Sequence, residues 1–558
     1  MRQKLYFAIA EAKPGADNPE RLECAGAFVN CFVHASDERA AQRSVEALLH
    51  SEGWELVRME ELHTADRAQY AEDAEMLDCC REAEKYGSSA VFIHGITRKM
   101  ASERSSRMQK NEIFEAEITG MTNEGAGVCR IDGMAVFVPM TAIGDVLRVR
   151  IVKVLKSYAF GIIEELLHPA QGRMEPDCPV FRQCGGCTYR HVAYETECSY
   201  KEQQVRDAFE RIGGLHPVFE PILGGDSRQG YRNKAQYPVA EQDGHLVCGF
   251  YAKHSHRVIP YTRCPLQPSL FGDLVEYLLP ALERAGVTAY NETQHTGELR
   301  HLYLRQGFHS GELMLCFVVR TSIRRKLSAL LLALQAQFPS LVSISESVNA
   351  QRTNVILGKS IQVLAGKGTI TDTMCGRAVE LSPLSFYQVN TAQAERLYGV
   401  GKSYAALTGT ETLLDLYCGA GTIGLSMADS VANLIGVEVI PEAVENARRN
   451  AAQNGVTNAA FYCGDAGQIA ARLLEDGTLP DVIVLDPPRK GCDQQTIEAT
   501  AGMQPHRIVM ISCNPATAAR DCKAFAELGY LTEKVRAVDL FPGTRHVECV
   551  VLLSRDKA

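Results

Sequence analysis

Apolar positions along the 558-residue chain recur either at every second residue or at helical spacing, and the alternation between the two marks off regions. "LYFAIA", "GAFVNCFVHA", "WELVRMEEL" and "SAVFIHGI" read as strands. "SDERAAQRSVEALLHSEG" opens with Ser36 and Asp37, good helix N-caps, and continues with helical spacing. Residues 1–100 thus predict an accessory α/β domain of unknown role. "RKMASERSSRMQKN", residues 98–111, has five basic residues and one acidic, and reads as a linker that could touch nucleic acid. Short alternating runs follow, such as "IFEAEITGMT", "MAVFVPM" and "DVLRVRIVKVL", separated by Gly and Asp turns. With the linker they define residues 101–168 as a small β-barrel, a frequent RNA platform and also a plain packing module. Residues 169–382 mix cysteines, helices ("YKEQQVRDAFERIG") and strands ("ELMLCFVVR") in an α+β pattern. From 383 to 558 strands and helices alternate as in a doubly wound α/β domain.

Composition narrows the class. Hydrophobic content of 46% supports large cores, and no run reaches the 18 or so apolar residues of a membrane span. "KLYFAIA" is too short for a signal peptide, so a soluble cytoplasmic protein is expected. A net charge of -9 argues against global attraction to nucleic acid, though not against a local basic face. Nineteen cysteines are many for a reducing compartment, which suggests metal ligands or catalytic thiols. No obligate protein partner is evident.

"TLLDLYCGAGTIGLSMA" is an apolar strand followed by Gly419, Gly421 and Gly424, which permit a tight turn and close ligand approach. Dinucleotide folds share this pattern. Two further strand ends add acids: Glu438, suited to a ribose hydroxyl pair, and Asp465, suited to an adenine edge. A fourth, "DVIVLDPPRKG", ends at Asp486 and two prolines that stiffen the loop and withhold N–H groups. That turn suits a methyl acceptor beside a sulfonium nucleotide better than a nicotinamide.

"RIVMISCNPATAARD" places Cys513 at the next strand end, on the ligand-binding edge of a parallel sheet. It could be a buried structural thiol, a metal ligand or a nucleophile. A nucleophile makes sense for uracil: thiolate addition at carbon 6 raises electron density at carbon 5, which then accepts a methyl group. A base must remove the carbon 5 proton. In "LFPGTRHVECVVLL", Glu548 and His546 compete for that role, and on one extended segment they would point the same way.

"CPVFRQCGGCTYRH" supplies Cys178, Cys184 and Cys187, and "YTRCPLQ" supplies Cys264. Three close cysteines and a remote, proline-flanked fourth suit a [4Fe-4S] cluster, or structural zinc. Cys248 rivals Cys264 as fourth ligand. Nearby Arg228, Arg232, Lys234, Lys253, Arg257 and Arg263 interleave with Tyr231, Tyr237, Phe250 and Tyr251, a mixture that suits backbone contacts and base stacking.

Residues 110–556 resemble the RNA (uracil-5-)-methyltransferases of the cluster-containing 23S ribosomal RNA type. The motifs are "CPVFRQCGGC", "SFYQVN", "DLYCGAGTIGL", "LDPPRKG", "SCNPATAARD" and "HVE". The resemblance implies a class I methyltransferase fold at 383–558 that binds S-adenosylmethionine, and a TRAM-like barrel at 101–168. It implies a [4Fe-4S] site at Cys178, Cys184, Cys187 and Cys264 in the central domain. It assigns Cys513 as nucleophile, Glu548 as base, and Gln388, Tyr417, Glu438 and Asp486 to the donor. Thr422 stands where some members have Asn. The implied substrate is an extruded uracil in 23S ribosomal RNA; transfer RNA methylation and a non-catalytic RNA-binding assembly role are the alternatives.

Overall fold

The computed structural model describes residues 4–15, 24–66, 74–97 and 108–555. They form two compact units, Met1–Glu112 and Ile113–Ala558. Most of the basic linker, residues 98–107, lies outside the described residues.

The first unit is an antiparallel sheet in the order Trp54–Thr64, Lys4–Pro14, Cys24–Ala35, Ser88–Thr97. Strand alternation gives it two apolar faces. Ala8, Ala10 and Ala12 meet Ala41, Val45 and Leu49 of the helix Glu38–Ser51, whose N-cap Asp37 accepts from the Ala40 N–H at 2.8 Å. Phe7 and Phe32 face the other way, toward Cys79, Cys80 and Ala83 of the helix Ala74–Tyr86. The apolar pattern had not revealed that helix.

The second unit contains three larger sheets. The six-stranded one runs Ile113–Glu117, Val146–Val154, Tyr158–His168, Met134–Pro139, Ala126–Ile131, Gly120–Met121. Buried Asp145 ties it to the next segment: it accepts from the Ala142 and Ala170 N–H groups at 2.7 and 2.9 Å and pairs with Arg173 at 2.5 Å. The seven-stranded central sheet extends from Val258–Pro260 through His245–Tyr251, Lys234–Gln242 and Leu299–Gln306 to Leu313–Val319, Leu341–Val348 and Ile361–Gly366. Its apolar face packs under the helices Ser269–Arg284 and Arg324–Gln337.

The eight-stranded sheet positions the site. Its order is Val218–Leu223, Tyr530–Val538, Glu548–Arg555, Arg507–Ser512, Val482–Leu485, Thr412–Leu416, Asn433–Glu438, Ala459–Cys463. The first of these strands comes from the stretch read as central domain; it pairs in parallel with Tyr530–Val538. From Arg507 to Ala459 the strands are parallel, with Leu416 opposite both Val437 and Leu485, and Leu485 opposite Met510. Tyr417, Glu438 and Asp486 therefore leave the sheet side by side. The strand Glu548–Arg555 runs the opposite way, pairing Cys549 with Ser512. Its first residue thus lies at the edge where the parallel strands end. Among the described residues no helix is long and apolar enough to cross a membrane.

Candidate active site

The turn after Thr412–Leu416 forces unusual backbone. Tyr417 has φ +67° and Gly421 φ +80°, while a Cβ on Gly424 would lie 2.8 Å from Asp415 Oδ2. That close approach serves a hydrogen bond, since the Gly424 N–H donates to Asp415 Oδ2 at 2.8 Å. Asp415, fully buried, is pushed up to about 8 by burial, with Asp486 and Glu438 acting the same way. Glu438 accepts from the Gly419 N–H at 3.0 Å and the Ile440 N–H at 2.9 Å, which fixes its carboxylate against the glycine loop. Burial raises Asp486 to about 7. Three acids thus lie close together at one sheet edge, in surroundings of low dielectric, an arrangement that favours a cationic ligand.

Gln388 and Thr422 also meet there. Both side chains act on the hydroxyl of buried Tyr398, opposing the burial and nearby Asp486 that suppress its ionisation. The Gln388 carbonyl accepts from Asn233 Nδ2 at 2.8 Å, so the central sheet orients this segment. The Tyr417 hydroxyl lies 3.3 Å from Thr496 Oγ1. Asp465 is exposed and stands two residues past its strand, capping the helix Ala466–Glu475 by accepting from the Gln468 N–H at 3.2 Å. The sequence reading had ended that strand at Asp465.

Cys513 follows the strand Arg507–Ser512 directly. Asn514 caps the helix Pro515–Glu527, accepting from the Ala516 N–H at 3.2 Å, and donates through Nδ2 to the Arg489 carbonyl at 3.0 Å. Thr517 Oγ1 donates to the same carbonyl at 3.3 Å. The cysteine turn and the Asp-Pro-Pro-Arg loop are therefore tied together. Burial raises the Cys513 thiol above its usual value; Glu548 pushes it further up, and the Arg489 guanidinium pulls it down. Glu548, 5% exposed, is raised to about 8 by burial and then by Asp486, with Arg489 opposing. The antiparallel register explains the convergence: Ser512 pairs with Cys549, so Cys513 stands opposite Glu548.

His546 does not share an extended segment with Glu548. The strand begins at Glu548, and His546 lies in the preceding turn, its ring 6.0 Å from that of Phe541. Burial, then Arg489 and Arg545, push it down to about 4. It is neutral and weakly basic at neutral pH.

The turn itself is clamped. Lys201 Nζ donates to Glu197 Oε1 and Asp539 Oδ1, each at 2.7 Å, and to the Phe541 carbonyl at 3.2 Å. Glu197 also accepts from the Gly543 N–H at 2.6 Å. The Thr188 and Tyr189 N–H groups donate to the Gly543 carbonyl at 2.9 and 3.0 Å, which joins the turn to the cysteine segment.

Cys178, Cys184, Cys187 and Cys264 all line one cavity of about 230 Å³, together with Arg232 and Lys234. Burial raises Cys187 to about 12, and Cys264, Cys184 and Cys178 add to the rise. Cys248 is 1% exposed, packs in the core of the central sheet and does not line this cavity. Among the described residues no three His, Cys, Asp or Glu side chains are placed to hold a metal ion.

A groove of about 530 Å³ runs past this segment, bordered by Met140, Arg182, Tyr251, Lys253, Arg545 and His546. It connects the six-stranded sheet with the turn before Glu548. Several sequence-nominated RNA contacts lie elsewhere. Tyr231 and Tyr237 are core residues. Arg228 is held by Glu197 at 3.1 Å and by the Tyr189 and Val192 carbonyls. Arg263 is neutralised by Asp273 and Glu276. Burial pushes Lys234 down to about 8. Lys253, Arg257, Phe250 and Tyr251 keep partial or full exposure.

Comparison with known proteins places this geometry. The sequence pattern described as tRNA (Uracil-5-)-methyltransferase matches residues 367–556, and that of the TRAM domain residues 107–163. An RNA methyltransferase of Bacillus cereus is 42% identical over 82% of this chain and 99% of its own. The chain belongs to the RNA (uracil-5-)-methyltransferase family. A relative from Halalkalibacterium halodurans, also an RNA methyltransferase, is 40% identical over 81% of this chain and 99% of its own. The solved structure of Pyrococcus abyssi tRNA (uracil-54, C5)-methyltransferase with S-adenosyl-L-homocysteine is 25% identical. It superposes with a TM-score of 0.63 and covers 79% of this chain and all of its own. The family's S-adenosylmethionine-dependent fold and TRAM domain are thus present here.

Sequence reasoning passed over four residues that shape the RNA methyltransferase site. Asp415 was visible as an acid inside an apolar strand. Arg489 stands directly after Asp-Pro-Pro in "DVIVLDPPRKG" and carries no pattern of its own. Tyr398 and Lys201 gave no local signal, because their partners are remote in sequence.

Proposed function

We propose that this chain methylates carbon 5 of a uracil in ribosomal RNA, 23S by its sequence resemblance, through a covalent adduct at Cys513. The convergence of Cys513 and Glu548 across the reversed last strand carries this reading. When bound, S-adenosylmethionine supplies an electrophilic methyl on a sulfonium. Asp415, Glu438 and Asp486 fit such a cation and its ribose; Gln388, Tyr417, Gly419, Gly421, Thr422 and Asp465 complete the donor set. Cys513 adds to carbon 6 of an extruded base, and carbon 5 gains the electron density that takes the methyl. Glu548 then removes the carbon 5 proton, and elimination frees Cys513. Its high pKa makes Glu548 a strong base once ionised, whereas His546 is too weak a base. Arg489 favours the thiolate and Asn514 fixes its position.

The four-cysteine cavity is proposed to hold a [4Fe-4S] cluster. Four crowded thiols there would repel one another once ionised, so a cationic group would stabilise them. Tetrahedral zinc, which four thiolates also suit, is the alternative. The cysteines' proposed role is to hold the segment that hydrogen-bonds Gly543; no step of the methylation runs through the cluster.

A Cys513→Ala variant should lose 5-methyluridine formation by at least about 10³-fold and form no adduct. A Glu548→Gln variant should accumulate the adduct. Normal turnover by Cys513→Ala would overturn the mechanism; free turnover by Glu548→Gln would reassign the base. Transfer RNA is the second reading, favoured by the name of the superposed Pyrococcus abyssi enzyme. Mapping 5-methyluridine in both RNAs from cells lacking the gene decides between them.

A further inference from the structure

A cleft of about 720 Å³ opens on the central sheet, distinct from the cysteine cavity and from the groove beside Lys253 and His546. Its floor is Arg300 and His301 from the strand Leu299–Gln306; the loop 288–297 and Tyr251 and His256 form its walls. Tyr251 also borders the groove that leads to His546, so the two cavities share one side chain.

Two features distinguish this cleft from a surface dent. First, two of its lining residues carry buried nitrogens without partners: His301 Nδ1 and Arg300 Nε. Both residues are at least nine-tenths buried, at 6% and 5% exposure. Such groups are costly unless something satisfies them. Second, it is lined by flat side chains that already pack on one another. Tyr251 and His256 lie 5.4 Å apart, and the Arg300 guanidinium sits 4.8 Å over the Tyr290 ring. His301 Nε2 lies 3.4 Å from the Tyr251 hydroxyl, and Nδ1 has no partner.

Charge selects the ligand class. Arg300 is the one Lys or Arg among the lining residues. Its terminal nitrogens already donate to the carbonyls of Asn349, Gln351 and Thr353 at 2.8, 2.9 and 3.0 Å. Glu241 and Glu292 are exposed beside it. A phosphate would be repelled; a neutral, flat, hydrogen-bonding ring would not. Rings and fixed donors are what capture unstacked bases.

We propose that this cleft is a second nucleobase site, which takes an unstacked base of the bound RNA strand while its backbone follows the groove past Lys253 and Arg182. The inference rests on the chain acting on RNA, and it assigns the cleft to substrate choice rather than chemistry. The base is a neighbour of the methylated uridine, held by stacking against the aromatic side chains that line the cleft.

The test uses the full chain. Short single-stranded RNAs carrying 4-thiouridine or 6-thioguanosine are photo-crosslinked and the modified peptides mapped. Crosslinks are expected on the 287–301 segment as well as near Cys513. Tyr290→Ala should raise the KM for methyl-acceptor RNA about 10-fold with kcat within about 2-fold, and Tyr290→Phe, which keeps the ring, should restore it. Crosslinks confined to the groove and catalytic turn, with an unchanged KM in Tyr290→Ala, would overturn the proposal. The crosslink is read without turnover, so it separates the two readings. RNA in the cleft without any 5-methyluridine product would count against the proposed reaction alone. Product formation with a silent cleft would count against the cleft alone.

Discussion

Replacing Lys201 by Met should loosen the catalytic turn far more than it unsettles the rest of the protein. Lys201, Glu197 and Asp539 have fully buried side chains, and the ammonium lies 2.7 Å from each carboxylate. Removing it leaves two buried carboxylates with reduced compensation, which costs about 3–5 kcal/mol for a broken buried pair. Burial already raises the Glu197 pKa, so proton uptake by Glu197 places the cost near the lower figure. At about 1.4 kcal/mol per tenfold, that is an opening equilibrium shifted by about 10²-fold. Hydrogen exchange followed by mass spectrometry reads this locally, which matters in a long chain that need not unfold in one step. Amides from Leu540 to Thr544 should exchange about 10²-fold faster, while the strand Thr412–Leu416 keeps its rate. Methylation should fall with kcat more than with the KM for the donor, because Glu548 follows the loosened turn. Adding Glu197→Gln and Asp539→Asn to Lys201→Met removes the stranded charges and should recover much of the protection. A change below about 5-fold in the turn, or no recovery in the triple variant, would refute the reasoning.

The pH profile follows from Glu548 and Cys513 together. Both are raised by burial and both act ionised, so kcat/KM should climb as pH rises through about 8; a flat profile from pH 6 to 9 would exclude them as base and nucleophile. Because His546 is pushed down to about 4, it should add no inflection near neutrality. Cys264→Ser should lose bound iron and its visible absorption under anaerobic purification, whereas Cys248→Ser should retain both; the reverse would exchange the fourth ligand. Tyr398→Phe removes the hydroxyl shared by Gln388 and Thr422 and should weaken donor binding about 10-fold by calorimetry, with RNA binding unchanged.

The strand ends carrying Glu438, Asp486 and Cys513 could be read directly because each is a local event: an apolar run stops at a polar or turn residue. Parallel pairing then brings those ends to one edge without further information. Glu548 is different. Its place beside Cys513 depends on the last strand running backwards, and nothing in "HVECVVLL" states a direction. The same limit hides the pairing of the strand Val218–Leu223, whose partner Tyr530–Val538 lies at the far end of the chain. It also explains the basic residues. Arg228 and Arg263 look like RNA contacts in a linear list, but Glu197, Asp273 and Glu276 reach them only after folding. Asp415 was a different kind of miss. An acid in the middle of "TLLDLY" violates strand patterning, and such a violation calls for a partner: here the Gly424 N–H, which in turn requires glycine at 424. The glycine spacing and the strand acid are therefore one feature, because the loop can approach the donor cleft only where Asp415 holds the start of the helix Thr422–Met427 against the sheet.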